Sequence, residues 1–275
     1  MLRFQEVYKN YSGSLLWEVL RVYIILLLGN RIFGPRSTGH LRSKRFSFEY
    51  PNRGSMYGMF TEIFLDQNYF IEETDKPLTI IDGGSNIGFA AIYFLLKAPR
   101  AKIISFEPNK DTFSILEKNI RQNNAHVELH NVALGDSNGE VVFYTDENDI
   151  ESQGSSITKH LESKDRTLRE SKVKMEMLSE YIHDELDILK LDIEGAEGLV
   201  FENLYKTGKL QKIKKIFLEY HFDGINTSYP LGKILSMLES SNFIYTIVSS
   251  FDFPVTTPPR QIHSYKIVAW QKGTE

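Results

Sequence analysis

The stretch LTIIDGGSNIGFAAI, residues 78–92, constrains the fold of this chain most strongly. A short apolar run ends in Asp82, a turn with three glycines follows, and an apolar helical pattern begins directly after it. Gly83 and Gly84 leave room for a ligand near the backbone, and Gly88 lets the next helix pack tightly against the strand. Because ligands bind at the carboxyl edge of open parallel sheets, the pattern predicts an α/β fold with a ligand at this turn.

Short apolar runs alternate with amphipathic runs along the rest of the chain, which is typical of a mostly parallel sheet with helices on both faces. A polar, charged stretch at 146–172 interrupts the alternation and predicts a lid-like insertion over the site or a disordered loop. The predicted strands are 78–82, 102–107, 127–134, 187–192, 214–221, 243–249 and 265–271, and the predicted helices are 87–97, 111–123, 197–204 and 231–241.

The spacing of the glycine turn favours one class of cofactor. Counted from Gly83, Ser85 replaces the middle glycine of the dinucleotide fingerprint, which weakens the match to NAD. Counted from Asp82, the spacing is D-x-G-x-N-x-G and resembles motif I of the S-adenosylmethionine-dependent methyltransferases, with Asn86 closing the turn or meeting a carboxylate. A methionine carboxylate can use the exposed N–H groups at a helix N-terminus. An NAD(P)-linked oxidoreductase stays the alternative.

Two later features fit a nucleoside at the same edge. Glu107 lies about 20 residues beyond the turn, where an acidic side chain accepts hydrogen bonds from ribose hydroxyls, although alone it would be read as a solvated strand-end carboxylate. Ala133, Leu134 and Asp136 follow the third predicted strand. They would hold an adenine ring between apolar contacts and one acceptor, and a plain turn explains them equally well.

A second group of charges ends the fourth predicted strand, in DILKLDIEGAEGLVF. Strand alternation sends Lys190 and Asp192 to one side of the sheet, and Glu194 follows at the turn into the next helix. Lys190 either neutralises these carboxylates or is their structural partner. Glu197 is interpreted as a first-turn carboxylate that suits the helix dipole.

The fifth predicted strand adds Glu219 and His221, which lie two residues apart and therefore point to the same side. If the two strands are neighbours, these side chains meet Asp192 and Glu194. The cluster would then hold a divalent cation, with Asp192 and Glu219 as candidate ligands, or remove a proton from an acceptor hydroxyl. The candidate bases are His221 first, because its ordinary pKa lies near neutrality, and then Glu194 and Asp192.

Taken in order, the strings IIDGGSNIG, FEPN, NVALGD, DILKLDIEGAE and FLEYH resemble the FkbM family of S-adenosylmethionine-dependent methyltransferases, over about residues 56–248. The resemblance implies a Rossmann-like class I methyltransferase fold, with a seven-stranded sheet whose final strand is reversed. It also implies methyl transfer to an oxygen of a sugar or another small hydroxylated acceptor, and it adds Pro108 to the cofactor site. A methyltransferase-like binding module without catalysis is the second alternative.

Composition limits the partners. The net charge is -4, so no global positive field draws the protein to nucleic acid. The chain has no cysteine, which excludes disulfides and thiol nucleophiles and is compatible with a reducing compartment. A cytoplasmic location is therefore expected, and a small-molecule or glycan acceptor fits better than a nucleic acid.

The N-terminal 50 residues are predicted to be a helical extension ahead of a methyltransferase domain at 51–275. Their apolar segment 14–33 contains Glu18 and Arg21 and has too short a clean apolar run to span a bilayer. It packs on the main domain or on a sister subunit in a homo-oligomer, or it lies on the inner membrane surface as an interfacial helix. Basic residues that would suit anionic headgroups follow closely, at Arg31, Arg36, Arg42, Lys44 and Arg45.

Overall fold

The structure, a computed structural model, describes residues 11, 13–146, 156–157, 168–223, 229–249 and 262–273. Within them the helices are α1 (Gly13–Phe33), α2 (Arg53–Phe60), α3 (Phe89–Lys97), α4 (Lys110–Gln122), α5 (Glu197–Lys206) and α6 (Leu231–Ser240). The strands are β1 (Gly39–Arg42), β2 (Ser47–Tyr50), β3 (Thr79–Gly83), β4 (Lys102–Phe106), β5 (Val127–His130), β6 (Ala133–Gly135), β7 (Gly139–Asp146), β8 (Leu168–Met177), β9 (Leu186–Leu191), β10 (Ile213–Asp223), β11 (Phe243–Ser249) and β12 (Ile262–Gln271).

The chain divides into two compact units. Unit 1 comprises residues 1–77, 85–102 and 111–127, and unit 2 comprises residues 78–84, 103–110 and 128–275. Apart from single residues at element ends, unit 1 carries α1 to α4 with β1 and β2, and unit 2 carries β3 to β12 with α5 and α6.

A seven-stranded sheet forms the centre of unit 2, in the order β11-β12-β10-β9-β3-β4-β5. Strand β9 pairs in parallel with both β3 and β10, whereas β12 is antiparallel to β10 and β11. This arrangement confirms the predicted α/β fold with a mostly parallel seven-stranded sheet and a reversed final strand. Because β9 is an inner strand, Leu189 and Leu191 are fully buried, as expected for a strand covered on both faces.

Helix α5 completes the core beside this sheet. Its Val200, Phe201 and Leu204 are fully buried and belong to the same hydrophobic cluster as Ile216 and Leu218 of β10. Each buried side chain of this size stabilises the fold by about 1.5–3 kcal/mol relative to an exposed one. The packing therefore fixes the start of α5 close to the ends of β9 and β10.

A second sheet of unit 2, in the order β6-β8-β7, differs from the sequence prediction. The single strand predicted at 127–134 is two strands in two sheets, β5 and β6. Strand β7, which begins at Gly139, pairs antiparallel with β8. Strand β8 begins inside the predicted insertion at 146–172. The sequence missed it because most of its first five residues are exposed, so it lacks a strand-like alternation. Residues 147–155 and 158–167 lie outside the described part of the chain.

Unit 1 ties the N-terminal hairpin to α4 through one amide side chain. Asn119 of α4 accepts a hydrogen bond from the Glu49 N–H at 2.7 Å and donates to the Glu49 carbonyl at 3.1 Å and to the Ile87 carbonyl at 2.8 Å. Because Asn119 is fully buried, these bonds satisfy a polar group that would be costly to leave unpaired. The hairpin of β1 and β2, which the sequence did not predict, lies in the same unit as α3 and α4. The domain division at residue 50 stays a prediction.

Helix α1 packs within unit 1 along one face, where Leu15, Val19, Val22 and Leu26 are buried. In the part of the chain that the structure describes, no helix is both long enough and apolar enough to cross a membrane.

Candidate active site

Lys190 links two neighbouring strands of unit 2. It stands opposite Asp82 in the parallel register of β9 and β3, and its Nζ lies 3.2 Å from Asp82 Oδ1. Its ammonium also donates to the Gly84 carbonyl at 2.6 Å and to the Gly83 carbonyl at 3.2 Å, and it lies 3.7 Å from Asp192 Oδ2. Both Lys190 and Asp82 are buried. Asp82, a predicted cofactor residue, therefore pairs with Lys190, and Lys190 in turn binds the carbonyls of the glycine turn.

The electrostatics around Lys190 keep it charged. Burial lowers the pKa of Lys190, but the neighbouring carboxylates of Asp82 and Asp192 outweigh burial and raise that pKa above its ordinary value. A permanent cation cannot accept the proton of an acceptor hydroxyl. Lys190 therefore meets Asp82 and Asp192 as a cation, and its charge is unsuited to the role of a base.

His221 of β10 lies among four carboxylates. Its Nδ1 is 2.9 Å from Glu197 Oε1, and its Nε2 is 3.4 Å from Glu194 Oε2. The Nε2 atom also lies 3.9 Å from Asp192 Oδ1 and 3.9 Å from Glu219 Oε1. The parallel pairing of β9 with β10 brings these side chains together, as the sequence anticipated for neighbouring strands.

The carboxylates change the charge of His221. Burial lowers the pKa of His221, but Glu194 and Glu197 raise it well above its ordinary value, so the imidazole is protonated at neutral pH. An imidazolium has no lone pair with which to accept a proton. The sequence placed His221 first among the candidate bases, and this electrostatic setting favours Glu194 in that position.

Glu194 occupies a left-handed backbone conformation, with φ at 57°, and Gly195 follows at 107°. Such a conformation is unusual for a residue with a side chain and clusters at functional sites. Burial raises the pKa of Glu194 to about 7, with Asp192 adding to the rise and His221 opposing it. Its side chain keeps 23% of its surface exposed. Glu194 is therefore a carboxylate that changes charge near neutrality and can be reached from outside.

Glu197 lies in the first turn of α5, as the sequence predicted, and it is also part of the cluster, which sequence reasoning missed. It is 1% exposed and hydrogen-bonds to His221. Its carboxylate also accepts hydrogen bonds from the Ile193 N–H at 3.2 Å and the Gly195 N–H at 3.0 Å. The signal that could have revealed it is its place in the same dense acidic string as Glu194.

Three side chains of the cluster have the spacing of a cation site. One ligand atom from each of Asp192, Glu194 and His221 lies within 4.8 Å of the others. The group found in the described residues does not include Glu219, one of the two sequence candidates. Carboxylates with imidazole suit several divalent metals, but only a neutral imidazole binds one. A divalent cation stays one of the two alternatives for this cluster, beside proton removal.

Gly84 is required by the packing of the backbone. Its φ is +79°, and a Cβ at this position would lie 1.8 Å from the Asp192 carbonyl oxygen. Two backbone hydrogen bonds also join the turn to its neighbours. The Asp192 N–H donates to the Gly83 carbonyl at 3.1 Å, and the Gly84 N–H donates to the Phe106 carbonyl at 3.0 Å. The glycine turn therefore fixes the position of Asp192.

Replacing Gly84 by alanine is expected to destabilise the protein by about 1–3 kcal/mol more than replacing Gly208, measured by chemical denaturation. Gly208 has a similar φ of +69° but has no atom within 4 Å of an added Cβ, so it isolates the backbone effect. Equal losses in the two variants would show that the contact with Asp192 is not the constraint.

The remaining residues of the turn belong to unit 1. Gly88 adopts a φ of +95° at the start of α3, and a Cβ there would lie 2.9 Å from Leu116 Cδ1 of α4. The sequence attributed this glycine to packing against the strand, and in unit 1 the close neighbour is α4 instead. Asn86 adopts a φ of 49°, which suits its place inside the turn.

The predicted nucleoside residues lie in unit 2. Glu107 directly follows β4, is 7% exposed, and accepts a hydrogen bond from the Asn109 N–H at 2.9 Å. Leu134 of β6 is buried beside the turn, since a Cβ on Gly83 would lie 3.1 Å from its Cδ1. Of the other predicted residues, Pro108 is half-buried, Ala133 is buried and Asp136 is exposed.

A family profile described as the methyltransferase FkbM domain matches residues 82–245, which is more than half of the chain. The chain belongs to the FkbM methyltransferase family. The matched region begins at Asp82 and contains His221 with all four carboxylates around it.

Individual methyltransferases are also similar to this chain. The chain is 29% identical over 165 residues to "Methyltransferase 1" of Beauveria bassiana, covering 52% of this chain and 65% of the relative. It is 26% identical over 191 residues to the hexuronic acid methyltransferase AglP of Haloferax volcanii, covering 67% and 72% of the two chains. Among solved structures, the methyltransferase FkbM of Methylobacillus flagellatus KT gives a TM-score of 0.47 at 12% identity, covering 95% of this chain and 61% of that one.

Proposed function

We propose that this protein transfers a methyl group from S-adenosylmethionine to a hydroxyl oxygen of a sugar or a similar small hydroxylated molecule. Membership of the FkbM methyltransferase family supports the reaction class. The observation that supports an oxygen acceptor is the environment of Glu194. This partly exposed carboxylate has its pKa raised to about 7 beside a protonated His221. A general base is most effective when its pKa lies near the working pH.

Each side chain of the cluster would have its own role in the reaction. S-adenosylmethionine, when bound, supplies a methyl group on a sulfonium and leaves as S-adenosylhomocysteine. Glu194 accepts the hydroxyl proton as the acceptor oxygen bonds the methyl carbon. The His221 imidazolium stabilises the Glu194 carboxylate in its reactive, deprotonated form, and the buried Glu197 fixes the orientation of the ring. A positioned base of this kind contributes about 10²–10⁴ in rate.

The residues at the ends of β3 and β4 and in β6 fit the cofactor. Glu107 is buried and oriented by the Asn109 N–H, and a carboxylate has enough acceptor positions to bind ribose hydroxyls as well. Ala133 and Leu134 supply apolar contacts for adenine, and Asp136 supplies an acceptor for its amino group. Gly83 and Gly84 bring the backbone of the turn to the methionine moiety.

The name of one relative narrows the acceptor. The hexuronic acid methyltransferase AglP shares 26% identity with this chain over 67% of its length. A hexuronic acid carries several hydroxyls of the kind that need a base before they can attack a methyl group. We therefore infer that a hexuronic acid unit is the first acceptor to test.

The test uses S-adenosylmethionine with a ¹³C-labelled methyl group and the methyl glycosides of glucuronic and galacturonic acid as acceptors. Mass spectrometry of the product is expected to show one added labelled methyl group that mild alkali does not remove, as for a methyl ether and unlike a methyl ester of the uronic acid carboxylate. Binding of S-adenosylhomocysteine without a product would overturn the acceptor class and leave the cofactor in place. Absence of both would overturn the proposed function. Repeating the reaction with EDTA and then excess Mg²⁺ tests the divalent cation separately.

Replacing Glu107 by alanine is expected to abolish the stabilisation of the protein by S-adenosylhomocysteine. A ligand at about 100 times its dissociation constant stabilises the folded state by about 2.7 kcal/mol, which a thermal melting curve resolves. Glu128→Ala, at an exposed glutamate on the neighbouring strand, should leave the shift unchanged. A shift with NAD or NADP instead would favour the oxidoreductase, and no shift with any of the three would favour a binding module.

A further inference from the structure

Helix α1 has an apolar surface on both sides. One face is buried within unit 1, and the opposite face leaves large apolar side chains in solvent. Ile32 is 71% exposed and Trp17 is 68% exposed. The exposed set consists of Trp17, Ile24, Ile25, Leu27, Leu28, Ile32 and Phe33. A contiguous apolar patch of this kind marks an interaction surface, whereas scattered single exposures need no explanation.

The charges around this face are mostly positive. Residues 13–45 contain six lysines and arginines and one acidic residue, although the whole chain carries a net charge of -4. The acidic residue, Glu18, has a side chain only 10% exposed and accepts hydrogen bonds from the backbone N–H groups of Lys44 and Arg45. The side chain of Arg45 donates to Ser14 at 2.8 Å, which places this cation beside the first turn of α1. The surface is therefore cationic as well as apolar.

The cations are distributed along the whole helix. Lys44 and Arg45 lie near its first turns, Arg21 is exposed on the helix itself, and Arg31 and Arg36 are exposed at and just beyond its end. An exposed apolar face with basic residues along its length is the pattern of a helix that lies in the plane of a membrane surface. The same distribution disfavours pairing with a second copy, because like charges would meet across the interface.

We propose that the exposed face of α1 docks on an anionic phospholipid bilayer, with its apolar side chains in the interface and its arginines on the headgroups. A lipid surface fits this face because it offers hydrocarbon to the apolar side chains and phosphate to the arginines and lysine. The proposal is independent of the proposed reaction and concerns only where the protein is held.

The test is flotation of the purified protein with vesicles of phosphatidylcholine alone or with about one third phosphatidylglycerol. Binding is expected with the mixed vesicles, and it should weaken at high ionic strength because salt screens the arginines. The triple variant Arg21→Gln, Arg31→Gln, Arg36→Gln should bind about 100-fold more weakly, or about fivefold for each charge removed. The variant Ile24→Gln, Leu28→Gln, Ile32→Gln should not float.

The matched control carries the same kind of change elsewhere. Ile244→Gln and Val248→Gln alter exposed apolar residues on β11 and should leave flotation unchanged. All altered side chains are exposed, so circular dichroism melting curves should match the wild type. Equal binding to neutral and anionic vesicles, or flotation of the apolar variant, would overturn the proposal. A dimer that the apolar variant dissociates, without vesicle binding, would show that the face joins two copies.

Discussion

Glu194→Gln is expected to lower kcat by about 10²–10⁴-fold on any hexuronoside that the wild type methylates, while the affinity for S-adenosylhomocysteine stays unchanged. Glutamine keeps the size of the side chain and one acceptor oxygen, but it replaces the other oxygen by an NH2 donor and cannot accept a proton. The left-handed backbone at position 194 is retained, so the change isolates proton transfer from the geometry of the turn.

The control for this variant is Glu202→Gln on α5, where the carboxylate forms an ion pair with Lys206 at 2.8 Å. Surface pairs of this kind contribute little to stability. Methyl transfer should therefore be unchanged. A decrease of less than tenfold in Glu194→Gln would show that another group takes the proton.

Lys190→Met is expected to destabilise the protein by about 3–5 kcal/mol, because it leaves the buried Asp82 carboxylate without its cation. The exposed fractions are 3% for Lys190 and 0% for Asp82, so water cannot replace the lost partner. A loss of this size is a large part of the stability of a typical domain. Urea denaturation of the variant and the wild type measures the difference.

Two further variants keep this prediction testable even where Lys190→Met fails to fold. The double variant Asp82→Asn, Lys190→Met removes both charges and should recover much of the lost stability, since neutral replacements of a buried pair are often tolerated. Lys206→Met breaks only the exposed pair with Glu202 and should change stability little. If the double variant is as unstable as the single one, the pairing of the two charges is not what stabilises the turn.

The sequence predicted the main sheet well because its signals are local. The apolar runs that end in Asp82 and Asp192 are inner strands, and their burial on both faces leaves a clear pattern. Strand β8 and the hairpin of β1 and β2 were missed. Strand β8 is largely exposed at its start, and each strand of the hairpin has only four residues, so neither gives a distinctive periodicity.

The sequence predicted that side chains of β9 and β10 meet, and not how they contact each other. Strand alternation was enough to place Glu219 and His221 on one side of β10. The role of Glu197 depends on its distance from His221 in another strand, which only the folded chain defines. The charge of His221 depends in turn on burial and on several carboxylates at once, so its ordinary pKa was a poor guide.

The most direct measurement is the pH dependence of kcat/KM for methyl transfer, in the wild type and in Glu194→Gln, at saturating S-adenosylmethionine. Because the pKa of Glu194 is raised to about 7, the residue is protonated and inactive as a base below that pH and deprotonated above it. The wild-type rate should therefore rise through about pH 7, and the rise should be absent from the variant. A flat profile in the wild type, or a rise that the variant retains, would contradict the assignment of Glu194 as the base.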